Sequence, residues 1–123
     1  MLLDTHALLW WAEDAPQLSQ PARSAIVSEA NDVFVSPISF YELGMKVRRG
    51  LLHRDLGDLA AAARADGFAM LAITIPHAHH AAVMDWDHRD PWDRILAAQA
   101  RLEGCSLISV DRAFDAIGLE RIW

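Results

Sequence analysis

Short apolar runs alternate with helical segments along the whole chain, and this alternation restricts the fold more than any other feature. The runs at 2–3, 33–35, 70–75 and 106–110 predict strands, and 119–123 predicts a short last one. Strands that alternate with helices form a parallel sheet that is covered by helices on both faces. We therefore expect a three-layer α/β/α fold around a central, mostly parallel sheet of four to five short strands.

Cap and turn residues predict where the helices begin and end. A helix is expected at 5–12, a second begins after Ser19 with Pro21 in its first turn, and a third follows Ser36 and ends at Gly50. Asp55 opens the next helix. Pro76 is expected to end the third strand before a helix that runs through 80–84, and the last long helix is expected at 92–103.

Length and composition narrow the class of protein. A chain of 123 residues fits one domain, and its hydrophobic fraction of 53% predicts that some surface is covered by a partner or a second copy. The net charge of −6 argues against a general polyanion binder. A single cysteine, Cys105, no apolar window long enough to span a membrane and no basic leader predict a cytoplasmic protein without a membrane partner.

Four acids follow strands or begin helices at related places. Asp4 follows the first strand, Glu42 lies in the first two turns of the helix after the second, Asp93 begins the helix before the fourth, and Asp111 follows the fourth. Strand ends and the starts of the following helices share one edge of a parallel sheet. We therefore expect these four carboxylates to converge although they are far apart in sequence.

Each acid also has a purely structural interpretation. Asp4 and Asp111 could cap the helices that follow them, and Asp93 suits a helix N-terminus through the helix dipole. Glu42 could form a capping box with Ser39 or an i,i+4 ion pair with Lys46. Each interpretation is reasonable alone, but all four would have to hold at one edge without a counter-charge in any motif.

Converging carboxylates repel one another strongly. Two like charges at ~4 Å cost roughly 1 kcal/mol in water and about 4 kcal/mol at an effective dielectric constant of 20. A fold tolerates such a cluster when protons or cations neutralise it, and all-oxygen ligands suit Mg²⁺ or Mn²⁺. Such ions complete their shells with water and phosphate, so the cluster indicates phosphodiester chemistry.

Histidines and basic residues offer two further candidate sites. A rival zinc or nickel site could form where acids and histidines lie together at 77–88, although the spacing matches no common metal motif; its members are His77, His79, His80, His88, Asp85 and Asp87. The run at 46–54 could bind RNA backbone, or it could simply complement a helix C-terminus; its cations are Lys46, Arg48, Arg49, His53 and Arg54.

Three sequence blocks and Glu42 resemble the PIN domain, specifically the VapC toxins of bacterial type II toxin–antitoxin pairs. The blocks are Leu3-Asp4-Thr5-His6, the stretch DPWDRILAAQA at 90–100, and LISVDRAF at 107–114. The second block is the most specific, and the resemblance covers essentially the whole chain as a single PIN domain over 1–123.

The resemblance implies a Mg²⁺- or Mn²⁺-dependent endoribonuclease. By motif position, Asp4, Glu42 and Asp93 match the family's three best-kept metal acids and Asp111 its fourth, with Thr5 and Ser109 as supporting hydroxyls. Asp90 is the alternative to Asp93 as the third metal acid. We prefer Asp93 because only Asp93 has the Ile-Leu-Ala-Ala-x-Ala stretch of the helix at the offset that the family motif requires. Water attacking the phosphate in line would leave 5′-phosphate and 3′-hydroxyl ends.

The resemblance also implies two protein partners. One is a second copy, which gives a homodimer, and the other is a cognate antitoxin whose helix occupies an apolar groove and whose tail blocks the acids. Four tryptophans are candidate groove residues, with core packing as the alternative for Trp10 and Trp92; the set is Trp10, Trp11, Trp86 and Trp92.

Two other classes of protein remain as alternatives. A receiver-like signalling domain would place a phospho-acceptor after the third strand, but no acid follows Ile75 and Pro76. A PIN-like module that binds RNA or protein without cutting is the second alternative, and the intact set of acids argues against it.

Overall fold

Five two-residue strands form a single parallel sheet. The computed structural model describes residues 1–123. The strands are β1 (Leu2–Leu3), β2 (Phe34–Val35), β3 (Ala69–Met70), β4 (Leu107–Ile108) and β5 (Arg121–Ile122). Their order is β3-β2-β1-β4-β5, and all four pairings are parallel. The predicted parallel α/β sheet is confirmed, and its first strand lies at the centre.

Six α-helices and one 3₁₀ helix connect the strands. They are α1 (Thr5–Ala12), α2 (Gln20–Val27), α3 (Pro37–Arg48), α4 (Leu56–Ala65), α5 (Ile75–Val83), α6 (Pro91–Leu102) and the 3₁₀ helix Arg112–Ile117. The predicted N-caps of α2 and α4, Ser19 and Asp55, both accept backbone hydrogen bonds there. None of the helices is both long and apolar enough to cross a membrane.

The sheet separates two apolar cores because neighbouring strand residues point to opposite faces. Leu3, Val35 and Ile108 join one core, which also receives buried side chains from α1, α2, α3 and α4. Leu2 and Leu107 join the other core, which is completed by α6 and the 3₁₀ helix. Complete burial of each such leucine or isoleucine contributes roughly 1.5–3 kcal/mol, so packing on both faces compensates for strands this short.

The third strand is shorter than the sequence predicts. The expected strand at 70–75 ends at Met70, and Ile75 already begins α5. Thr74 is the N-cap, its hydroxyl accepts from the His77 N–H, and the His77 side chain accepts from the Thr74 N–H. Pro76 lies in the first helical turn, where the missing N–H costs nothing. The proline marks the start of a helix, and its interpretation as a strand breaker was wrong.

The capping box proposed for Ser39 and Glu42 is absent. Ser36 is the N-cap of α3, its Oγ accepts from the Ile38 N–H at 3.2 Å, and Pro37 follows it in the first turn. Ser39 and Glu42 therefore lie inside the helix. This structural explanation of Glu42 was wrong, and its side chain has no capping role.

Candidate active site

The carboxyl ends of the two central strands carry the first two groups of the site. Asp4 follows β1 and Ser109 follows β4, and both residues are buried, as is Thr5. The Asp4 N–H donates to the Ile108 carbonyl at 3.0 Å, so the backbone of Asp4 still takes part in the hydrogen-bonded pairing of β1 with β4. The central strands therefore fix these side chains at one edge of the sheet.

Asp4 is both a helix cap and a buried carboxylate of the site. Its Oδ1 accepts from the Ala7 N–H at 2.6 Å, which confirms the predicted cap of α1. Burial raises the pKa of Asp4, while the Ser109 hydroxyl, the Ala7 N–H and His6 oppose this rise and Glu42 adds to it. The two interpretations of Asp4 coexist, because a cap accepts with one oxygen and leaves the carboxylate charge uncompensated.

Glu42 reaches the site from the second turn of α3. Its Oε1 lies 2.8 Å from the Lys46 Nζ, so the predicted i,i+4 ion pair is present. The Lys46 Nζ also lies 3.3 Å from the His6 Nε2. The positively charged ammonium group of Lys46 is thus in direct contact with one of the acids, Glu42.

Two aspartates of α6 approach the same place. Asp90 is the N-cap and accepts from the Trp92 N–H at 2.8 Å, while Asp93 lies in the first turn. The pKa of Asp93 is raised to about 6, mainly by burial and further by the negative charges of Asp90 and Glu42, against the effect of its hydrogen bond with His88. Its surroundings therefore disfavour the ionised form of Asp93, and a cation beside it would favour that form.

Asp111 lies at the exposed side of the site. Its carboxylate accepts from the Ala113 N–H at 2.8 Å and caps the 3₁₀ helix, as predicted. Its own N–H donates to the Ser109 Oγ at 3.0 Å. Ser109 thus links the backbone of Asp111 to the buried region around Asp4.

The structure brings the four predicted acids together. They line one cavity of about 90 Å³ that has no hydrophobic residue in its wall. The hydroxyl of Thr5, which is buried there, has no hydrogen-bond partner. The complete lining is Asp4, Thr5, His6, Glu42, Asp90, Asp93 and Asp111.

A hard divalent cation fits the chemistry of this cavity. Five carboxylates face one another, two of them have raised pKa values, and an unpaired hydroxyl lies beside them. As the side chains stand, no three His, Cys, Asp or Glu groups are close enough to hold one ion. The oxygen donors and the excess negative charge nevertheless suit Mg²⁺ or Mn²⁺.

The rival histidine site does not form. His77 is buried, with its Nδ1 accepting from the Thr74 N–H and its Nε2 lying 3.0 Å from the Glu103 Oε1. His88 lies apart from it and contacts Asp93. His77 and His88 have separate partners, the buried Nε2 of His80 has none, and no group of three metal-binding side chains occurs among the histidines.

The basic run divides into separate contacts. Lys46 pairs with Glu42, and Arg54 lies 3.7 Å from the Glu13 carboxylate. Arg48 and Arg49 are exposed, and Arg49 lines a second cavity beside Glu42, together with Met45, Lys46, Asp90 and Trp92. Two arginines near the acidic cavity are therefore open to solvent.

The four tryptophans do not line one groove. Trp10 packs on Trp123 and His6, and Trp11 packs on Phe68. Trp86 stacks on His88 and Trp92 meets Tyr41 edge-on. Each indole has its own aromatic partners, and Trp11 and Trp92 line two different cavities, so their role as groove residues remains a prediction.

Sequence reasoning missed two of the groups in contact with the acids. His6 lies in the cavity wall, and its position two residues after Asp4 could have indicated this. His88 hydrogen-bonds to Asp93 from an irregular loop five residues earlier. No periodicity places a loop residue, so the sequence carried no signal for His88.

Comparison with known proteins gives a family match and a sequence relative. A family model described as PIN domain matches residues 1–119. A sequence relative, ribonuclease VapC22 of Mycobacterium tuberculosis, is 29% identical over 122 residues, covering 91% of this chain and 87% of the relative.

Solved structures show the same fold. VapC20 of M. tuberculosis, described as a toxin that cleaves the sarcin–ricin loop, has a TM-score of 0.68 at 22% identity and covers 96% of this chain and 95% of its own. VapBC2 of Rickettsia felis, bound to a promoter DNA fragment, has a TM-score of 0.70 at 12% identity, covering 99% and 98%. A toxin–antitoxin complex from Klebsiella pneumoniae has a TM-score of 0.68 at 17% identity, covering 99% and 95%.

Proposed function

Because this chain belongs to the PIN domain family, we propose that it is a VapC-like endoribonuclease that cuts RNA phosphodiester bonds with a Mg²⁺ or Mn²⁺ ion. The observation that carries this proposal is the cavity of about 90 Å³ in which Asp4, Glu42, Asp93 and Asp111 converge. The relative named as a ribonuclease supports it. Residues 1–123 act as one catalytic domain in this proposal.

In the proposed mechanism, Asp4, Glu42, Asp93 and Asp111 hold the cation. The ion supplies the polarisation of the scissile phosphate and of the attacking water. A hydrogen bond from the Ala7 N–H fixes the Asp4 carboxylate. The buried hydroxyl groups of Thr5 and Ser109 are the supporting polar groups around it. Attack in line leaves 5′-phosphate and 3′-hydroxyl ends.

RNA reaches the cavity past the exposed end of α3. Arg48 and Arg49 are free to contact phosphates, and Lys46 lies at the cavity itself. Arg54 contributes less in this proposal, because it is engaged by Glu13. Such contacts add affinity without reading base sequence.

The same cavity is suited to inhibition by an antitoxin. One of the structural relatives is named as a toxin–antitoxin complex, which supports a partner of this kind. Lys46 already pairs with Glu42, so a basic side chain from a partner would be accepted in place of the cation. The partner's apolar helix would meet exposed apolar side chains of α3 and of the turn after it, such as Tyr41 and Leu51.

A homodimer completes the proposal. Large apolar side chains are exposed along β3 and α5, where Ile75 is 86% and Val83 64% accessible, and Met70 is also exposed. A second copy of the chain would cover such a surface. We place the enzyme in the cytoplasm, where its RNA substrates are found.

Cleavage assays with and without metal test the proposed activity. The purified protein is incubated with total bacterial RNA in Mg²⁺ or Mn²⁺ and again with EDTA. Asp93→Asn and Glu42→Gln are run beside it, and Asp115→Asn, outside the cavity, is the matched control. We expect metal-dependent cleavage that both cavity variants lose by at least about 10²-fold and that the control retains.

Two results would contradict the proposal. Cleavage that persists in EDTA, or in both cavity variants, would exclude the metal nuclease. Retention of RNA without cleavage in any metal would instead favour the non-catalytic binding module.

A further inference from the structure

A histidine outside the set of acids contacts the third of them. The His88 Nε2 lies 2.8 Å from the Asp93 Oδ2, and both side chains are three-quarters or more buried. His88 belongs to the loop between α5 and α6. The other carboxylate oxygen of Asp93 accepts no hydrogen bond from the protein. Because a carboxylate only accepts, the Nε2 carries the proton in this contact.

Aromatic packing fixes the orientation of the His88 ring. The Trp86 ring stacks on it with a centroid distance of 4.2 Å and an angle of 10°. Trp86 in turn packs on Phe114 at 5.5 Å, and Phe114 is buried in the core. The His88 N–H also donates to the Trp86 carbonyl at 2.8 Å. The imidazole is therefore supported from the core outward to the cavity.

Arg94 fastens the same loop to the helix that carries Asp93. Its guanidinium donates to four backbone carbonyls, at 2.6–2.7 Å for three of them and 3.3 Å for the fourth; these belong to Ala81, Met84, Trp86 and His88. Because Arg94 directly follows Asp93, one turn of α6 holds both the carboxylate and the loop that delivers the imidazole. The distance between His88 and Asp93 is thereby set by a single rigid unit.

We propose that His88 is a positioning residue, which holds the Asp93 carboxylate by one oxygen and leaves the other for the cation. This inference rests on the proposed function, because it assigns a role within the same site. A hydrogen-bonded partner of a metal ligand changes metal affinity or activity by about 10- to 100-fold when it is removed. A neutral N–H donor is sufficient for this role, so no proton transfer by His88 is needed.

Three variants test the role of His88. His88→Ala removes the donor, His88→Gln places an amide N–H near the position of the Nε2, and His79→Ala removes an exposed histidine of α5 as the matched control. Mn²⁺ affinity is measured by titration calorimetry at pH 7.5, and RNA cleavage gives kcat and KM. Circular dichroism and thermal melts verify that each variant is folded.

We expect a selective loss that glutamine restores. His88→Ala weakens Mn²⁺ binding about 10-fold or more and lowers kcat, while the KM for RNA changes less than two- to three-fold. His88→Gln recovers most of the metal affinity and of kcat. His79→Ala matches the wild type in both measurements.

Three outcomes would overturn this inference, and they can be told apart. If the wild type binds Mn²⁺ and cuts RNA but His88→Ala equals it, the role of His88 fails while the proposed function stands. If His88→Gln is as impaired as His88→Ala, hydrogen-bond positioning is wrong. If the wild type neither binds Mn²⁺ nor cuts RNA, the function and the inference fail together.

Discussion

Asp93 and Asp115 are both aspartates in the first turn of a helix, yet their surroundings move their pKa values in opposite directions. Each lies in the first turn of a helix, Asp93 in α6 and Asp115 in the 3₁₀ helix. The pKa of Asp93 is raised to about 6, first by burial and then by the neighbouring acids. The pKa of Asp115 is lowered, first by hydrogen bonds from Arg121.

The difference lies in the partners of each carboxylate. Asp115 receives two hydrogen bonds from the Arg121 guanidinium, at 2.7 and 3.1 Å, in a fork that suits a carboxylate. Asp93 has one hydrogen bond, from His88, and faces Asp90 and Glu42. The ionised form is thus favoured by folding at Asp115 and opposed by folding at Asp93.

This contrast separates acids that stabilise the fold from acids that reduce its stability. The charges of Asp4 and Asp93 weaken the folded state in the absence of a cation, because both carboxylates are buried and face other acids. A bound cation would reverse that effect, so in the proposed metal site ion binding would stabilise the fold. The predictions below test the contrast, beginning with the largest effect.

Asp4→Asn should separate activity from stability most clearly. The amide oxygen can still accept from the Ala7 N–H, but the buried negative charge is gone. We expect RNA cleavage to fall by about 10³-fold or more, since a central cation ligand is lost. The free energy of unfolding without metal should rise at pH 7.5, because burial raises the pKa of Asp4 and so opposes its ionised form.

Asp115→Asn is the matched control for both measurements. It removes one aspartate charge from a helical first turn outside the cavity, and we expect cleavage within about two-fold of the wild type. Urea unfolding in EDTA compares the stabilities. Equal cleavage by Asp4→Asn and Asp115→Asn, or a destabilised but active Asp4→Asn, would break the contrast.

Asp93→Asn should change how stability depends on pH. With a pKa near 6 when folded and 3.8 when unfolded, Asp93 keeps its proton longer in the folded state. The contribution of Asp93 to the free energy of unfolding is therefore fully present below about pH 4 and is lost as the pH rises through 6. Since Asp93 is partly exposed, we expect the stability that is lost in this way to be about 2 kcal/mol.

The stability difference between Asp93→Asn and the wild type is the quantity to measure. In EDTA, urea unfolding should give a difference near zero at pH 4 that grows to about 2 kcal/mol in favour of the variant at pH 7. Comparing two proteins at each pH cancels the other titrating groups. A difference that does not change with pH would show that the ionised form of Asp93 is not opposed by folding.

The parallel pairing of the strands could be predicted because it follows from local patterns, whereas their order in the sheet was not predicted. Alternating apolar runs and helices, together with the right-handed connection rule, place the strand ends at one edge, and this brought Asp4, Glu42, Asp93 and Asp111 to one cavity. Caps were predictable where a polar residue precedes a helix directly, as at Ser19 and Asp55.

The remaining details depend on contacts that no local pattern encodes. Thr74 caps α5 with the help of His77, so a β-branched stretch that favours a strand became a helix start. His88 reaches Asp93 only because Trp86 and Arg94 fix an irregular loop. Tertiary packing decides both where α5 begins and where His88 lies. It also decides the aromatic partners of the four tryptophans, which differ from one another.

Asp115→Asn should give the smallest change in stability, with the opposite dependence on pH. Because the pKa of Asp115 is lowered in the folded state, its contribution is present above about pH 4 and is lost as the pH falls further. The Asp115 carboxylate is about half exposed and is screened by solvent, so the decrease at pH 7 should be slight and should shrink further in 1 M salt. Urea unfolding at pH 7 and pH 3 measures it. If Asp115→Asn were instead more stable at pH 7, its ion pair with Arg121 would not favour folding, and the contrast with Asp93 would disappear.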